Sequence, residues 1–193
     1  MGKAYKNFWS LNTDEAIVTG ILRDAVHKDI EVLMPINAQM KDIDLFLVNT
    51  KNKKLVSIQV KGSRAYEPSP KSIDEYGDGS SGWFFLKDKI VLESSADYFI
   101  FLIYVIRQSA KTGRRILEPH TITIPSKVLG ELSLKHKKIN MTKAGSKMFN
   151  YFIYVNPTTK EAVDIKEKKS GNEYFLSEYL DKKGFAKLSD DLV

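Results

Sequence analysis

Cysteine is absent from this 193-residue chain. Its absence excludes a disulfide scaffold, a Cys-ligated zinc site, an iron–sulfur cluster and thiol catalysis. Histidine is scarce: His27, His120 and His136 stand apart, without HxH or HExxH spacing, so a His-built zinc site is not expected. Long apolar runs are missing too. The longest, Tyr98 to Ile106, reaches about half the length a membrane-spanning helix needs. The opening residues MGKAYKNFWSLNTDE contain no continuous apolar stretch of the kind a secretory signal requires. No repeat and no low-complexity tract is visible, and no GxSxG marks a serine esterase. These absences together predict a soluble, cytoplasmic protein with no membrane partner.

What is present is a globular composition, 42% hydrophobic and 28% charged, enough to bury a core within one ordinary domain spanning residues 1–193. Thirty Lys and Arg against 24 Asp and Glu leave a net charge of +6. That excess suits a polyanionic partner. The individual clusters, such as Lys51-Asn-Lys-Lys54 and Arg114-Arg115, read singly as solvated turns.

Asn12 to Glu15 supply helix-capping residues ahead of Ile17, Val18, Ile21, Leu22 and Val26, whose spacing predicts an amphipathic helix over 14–28. Three strands are expected next, at 30–36, 42–48 and 55–61, the last two joined as a hairpin by the polar turn 49–54. A long Pro- and Gly-containing loop runs from Gly62 to about Gly82, and a loop of that length in a compact domain is functional or disordered. Residues 83–93 read as a short helix or an irregular apolar segment. Strands are expected at 97–106 and 118–124, a helix from Ser126 to about residue 137, a hairpin of 149–155 with 161–165, and a last helix at 174–183. The order describes an α/β domain with a mixed sheet flanked by helices.

Within the hairpin, period-two alternation sends Ser57, Gln59 and Lys61 to one face and Val56, Ile58 and Val60 to the other. On the partner strand Asp44 alternates with Ile43 and Leu45. A carboxylate, an amide and an ammonium therefore converge near one end of the hairpin, and Glu15, set beside the apolar stripe of the first helix, approaches from behind. Taken singly each has a plainer reading: an exposed strand lysine, an exposed strand glutamine, a turn-capping aspartate, and a first-turn acid favoured by the helix dipole. Asp42 is the alternative to Asp44.

Helix Glu15, then IDLFLV with Asp44, then SIQVKG with Gln59 and Lys61, resembles the PD-(D/E)XK, or restriction-endonuclease-like, nuclease superfamily. The resemblance covers about residues 12–63, and reaches 106 if 97–106 is the next core strand, leaving about 107–193 as a C-terminal elaboration. It implies a restriction-endonuclease-like α/β core and a metal-dependent nuclease hydrolysing phosphodiester bonds, with DNA the expected substrate. Gln59 stands where the family has its second acid, in the manner of members that use QxK, and Ile43 stands where the family has proline. The implied cofactor is Mg2+ or Mn2+, held by Asp44, the Gln59 side-chain carbonyl and the backbone carbonyl of Val60, with Glu15 on a bound water or second ion. Lys61 would orient the attacking water and offset negative charge on the phosphate. The family implies a homodimer as one mode of action. Two other classes compete: a catalytically inactive nuclease-fold DNA-binding module, for which neutral Gln59 is the argument, and a protein–protein interaction domain.

Gly77-Asp-Gly-Ser-Ser-Gly82 spells GxGxxG, but no strand precedes it and no helix opens at it, so it reads as a flexible loop. The long loop leaves directly from Lys61 and must border a site on the hairpin. Arg64, Tyr66, Lys71, Tyr76 and Trp83 are its candidate nucleic-acid contacts, by phosphate pairing or base stacking; the alternative is a surface loop anchored by its aromatic residues.

Overall fold

The computed structural model describes residues 13–35, 42–109, 112–136, 140–141, 147–166, 171 and 174–193. It contains two β-sheets packed face to face, with helices on the outer side of the first. The first sheet takes β1 (Ile30–Leu33), β2 (Leu45–Asn49), β3 (Leu55–Gly62), β5 (Tyr98–Gln108) and β6 (Arg115–Pro125), in that spatial order. β1, β2 and β3 form an antiparallel meander, β5 runs parallel to β3, and β6 returns antiparallel to β5. The sheet is mixed, as expected.

β5 explains why this sheet carries layers on both sides. Its apolar run has no polar face: Tyr98, Ile100 and Leu102 join one cluster, while Phe99, Phe101, Ile103 and Val105 join another. A strand apolar on both faces is stable only between two covering layers. On the first side lie α1 (Thr13–Ala25) and α5 (Lys182–Leu192), which bury Val18, Leu22, Phe185, Leu188 and Leu192 against Leu45, Leu47, Ile58 and Val60. Each fully buried leucine there contributes about 1.5–3 kcal/mol relative to exposure.

On the second side lies the other sheet, in the order β10 (Tyr174–Phe175), β9 (Glu161–Asp164), β8 (Lys147–Asn156), β4 (Ser80–Lys87), with β7 (Asn140–Met141) also paired to β8. It presents Phe84, Leu86, Phe149, Tyr151 and Ile153 to the aromatic face of β5. The short helices α2 (Pro70–Tyr76) and α3 (Asp88–Leu92) flank β4, and α4 (Ser126–His136) follows β6. Among the described residues no helix is long and apolar enough to cross a membrane.

The second sheet corrects the sequence reading in three places. The expected 62–82 loop contains α2, capped by the Ser69 hydroxyl, and its final glycine already belongs to β4. Residues 83–93 are the body of that strand followed by α3. β4 escapes a period-two reading because its outward residues Trp83 and Phe85 are as apolar as its inward Phe84 and Leu86. The expected helix at 174–183 is instead β10, a 3-10 turn at Ser177–Tyr179 and the start of α5; the buried stripe Phe185, Leu188, Leu192 lies further along. The expected ends of the first strand at 36 and of the helix at 137 lie outside the described residues.

Candidate functional site

The start of the β2–β3 pair brings Asp44 onto β3 beside Ile58 and Val60. Leu45 is the first residue of β2 in register, opposite Ile58, and Asp44, just before it, donates its amide to the same Ile58 carbonyl at 2.8 Å, one residue from Gln59. Its carboxylate turns onto β3, where the Val60 amide donates to Oδ2 at 2.7 Å. Asp44 precedes β2 rather than lying inside it, because Asp42 adopts a left-handed φ of 73° and turns the chain before the strand can begin. Aspartate tolerates that conformation better than most residues. Asp42 is also part of the grouping: the Gln59 Nε2 donates to its Oδ1 at 3.4 Å.

Gln59 is not an exposed strand residue. It is 2% exposed, on the opposite face of β3 from Ile58 and Val60 and in register with Phe99 of β5. Its Nε2 faces the Asp42 carboxylate, and its Oε1 is buried without a hydrogen-bond partner. An orphaned buried carbonyl costs about 1–3 kcal/mol, and among the described residues no donor offsets it. Lys61, two residues on, shares the Gln59 face and is half-buried.

The helix acids come from the other side. α1 packs on the face that buries Ile58 and Val60, opposite the face of Gln59 and Lys61, and its first turn carries Asp14 and Glu15. Asp14 is the residue that reading passed over. Its carboxylate closes on Gly62, leaving no room for a Cβ there, and the Tyr104 hydroxyl donates to its Oδ1 at 3.2 Å. Burial first, and then the Asp14 carboxylate, raise the Tyr104 phenol above its ordinary value. The signal was available: Asp14 lies four and eight residues before Val18 and Leu22, the two fully buried positions of α1, and so heads that stripe. Glu15 follows in the same turn, half-buried, with its backbone carbonyl accepting from the Thr19 hydroxyl.

The five nucleic-acid candidates divide. Tyr66 and Trp83 meet edge to face at 6.1 Å between ring centroids. Tyr76 ends α2 and packs on Tyr154 at 5.6 Å, while its carbonyl accepts from the Asn156 amide; it anchors the helix to β8. Arg64 and Lys71 are exposed, on the loop and on α2.

The oxygen donors that the grouping can offer a divalent cation are the Asp44 carboxylate, the Gln59 Oε1 and the Val60 carbonyl, with Asp42 adjoining. Among the described residues no three His, Asp or Glu side chains form a metal cluster, so a donor set here draws on an amide and a backbone carbonyl. Hard oxygens of this kind suit Mg2+. Compared with models of protein families, with curated proteins and with solved structures, the chain matches none.

Proposed function

We propose that this chain is a divalent-metal-dependent nuclease that hydrolyses phosphodiester bonds in DNA, with its site on Asp44, Gln59, Val60 and Lys61. The observation that carries the reading is the buried Gln59 Oε1, left without a partner, on a side chain whose Nε2 contacts Asp42 and next to Val60, whose amide holds Asp44. A divalent cation here would be held by the Gln59 Oε1, the Asp44 carboxylate and the Val60 carbonyl. The order of α1, the β1–β2–β3 meander and β5 parallel to β3 supports a restriction-endonuclease-like core.

The ion, Mg2+ or Mn2+, would supply charge neutralisation at the anionic transition state of phosphodiester hydrolysis. The chain's own groups have separable tasks. Asp44, tied at Oδ2 to the Val60 amide, holds its carboxylate in one orientation. Gln59 adds an oxygen without adding charge, which makes the site a weaker cation binder than one with two acids. Lys61 orients the attacking water and offsets negative charge on the phosphate oxygens. Glu15 or Asp14 holds a water at the strand end from behind. The net charge of +6 favours approach of a polyanion.

Neutral Gln59 also favours a second reading, a nuclease-fold module that binds DNA without cutting it. Incubating wild type, Asp44→Ala and Lys61→Ala with plasmid and single-stranded DNA, with Mg2+ or Mn2+ and with chelator, separates the two. Metal-dependent cleavage lost in both variants supports the enzyme. Salt-sensitive binding without cleavage supports the module. No binding of any nucleic acid leaves an interaction domain.

A further inference from the structure

On the outer face of the second sheet β4 presents an aromatic patch. Trp83 and Phe85 point away from the core and are 41% and 50% exposed. Their ring centroids lie 4.8 Å apart, Phe152 of β8 meets Trp83 edge-on at 5.6 Å, and Tyr66 closes the other flank. Of the exposed large aromatic residues among those described, only Phe175 lies elsewhere. Solvent exposure of three neighbouring rings is costly for a surface with no occupant. The register of β4 with β8, Trp83 opposite Phe152, fixes the rings on a rigid pleated surface rather than on a mobile loop.

The patch is joined to the proposed site by one short connection. The Trp83 amide donates to the Ser63 hydroxyl at 2.7 Å, and Ser63 is two residues beyond Lys61. Lys87 continues the outward row of β4 and is exposed, and exposed Arg64 adjoins Ser63. Tyr66, Trp83 and Phe85 thus offer π-faces and edges on a surface near exposed Arg64 and Lys87. That combination matches an unpaired nucleic-acid strand, whose bases stack on aromatic rings while its phosphates meet basic side chains. A duplex keeps its bases stacked inside and gains nothing from the rings.

We propose that Trp83, Phe85 and Tyr66 form a stacking platform for the bases of a single-stranded nucleic-acid segment running past the Lys61 end of β3. The proposal rests on the reading of the chain as a protein that acts on nucleic acid, but it concerns binding alone and needs no metal.

The test is fluorescence titration with single-stranded oligo(dT) and with a duplex of equal length, in chelator, on the full chain carrying Trp9→Phe so that Trp83 is the sole indole. Circular dichroism and size-exclusion chromatography with light scattering accompany each variant. The expected result is quenching by oligo(dT), weaker at higher salt, with affinity above that for duplex. Trp83→Ala or Phe85→Ala, followed with a labelled oligonucleotide, lowers affinity by about tenfold, within the range for loss of one stacked base, and Trp83→Phe retains most of it. Chelated conditions separate this result from the cleavage assay: a chain that binds but does not cut leaves the platform standing. Folded Trp83→Ala with undiminished oligo(dT) affinity overturns the proposal, as does absence of quenching at low salt. A dimer that becomes monomeric in Trp83→Ala also overturns it, by assigning the patch to a second copy of the chain.

Discussion

The Asp14 carboxylate rests directly on Gly62, and the Tyr104 hydroxyl donates to the same carboxylate at 3.2 Å. The first turn of α1 is thereby tied to the end of β3, one residue past Lys61, and to β5. Gly62→Ala forces a methyl group into the carboxylate. We expect it to destabilise the fold by about 1–3 kcal/mol, the usual cost of overpacking, measured by urea denaturation, and to lower the proposed nuclease activity beyond what the lost folded fraction explains. An unchanged unfolding midpoint would show that α1 moves aside freely.

The two acids of that turn separate by readout. Asp14→Asn keeps the volume but weakens the bond to Tyr104, and its main effect falls on stability, about 1 kcal/mol. Glu15→Gln is expected to lower the proposed cleavage by more than its effect on the unfolding midpoint explains. The reverse assignment, activity lost with Asp14→Asn and retained with Glu15→Gln, would transfer the proposed role to Asp14.

Gln59 carries the sharpest contrast between stability and binding. Gln59→Met removes the orphaned Oε1 and keeps the volume; it also leaves the Asp42 carboxylate without the 3.4 Å contact. In chelator we expect it to match or exceed wild-type stability by up to about 1 kcal/mol. Calorimetric titration with Mn2+ should show binding weakened in Gln59→Met and strengthened in Gln59→Glu. Equal Mn2+ affinity in all three would remove Gln59 from the donor set.

Alkaline pH tests how α5 is held. The Tyr98 hydroxyl donates to Asp191 Oδ2 at 2.6 Å, and burial, reinforced by that carboxylate, pushes the phenol well above its ordinary value. A proton held more tightly in the folded state stabilises fully below the unfolded pKa, about 10, and that contribution is lost as pH rises through the folded value. Wild type should therefore exceed Tyr98→Phe in unfolding free energy by about 1 kcal/mol at pH 7, with the gap closing above about pH 10. A gap constant from pH 7 to 11 would assign the difference to packing alone.

Leu188 is fully buried where α5 meets the first sheet. Leu188→Ala should cost about 2–5 kcal/mol, read by thermal or urea unfolding, with the Trp83 patch unaffected.

Local pattern sufficed for much of this molecule. α1, the β2–β3 hairpin, β5, β6, α4 and the β8–β9 hairpin follow from apolar periodicity and turn residues, which act over a few positions and are visible in one dimension. The register of β2 with β3, Leu45 opposite Ile58, follows the same way, because a short hairpin turn fixes register. Other features depended on partners distant in sequence. β4 became a strand through β8, about seventy residues away, and no alternation announced it because its outward side chains are aromatic. Gln59 became buried because a second sheet covers its face, a fact no property of SIQVKG contains. Asp14 gained its place over Gly62 only when α1 docked across the strand ends. The chain's local chemistry set its elements, its charge and the order of its polar residues; which of those residues lost water, and which were left without a partner, depended on layers assembled from remote segments, because burial is a property of packing.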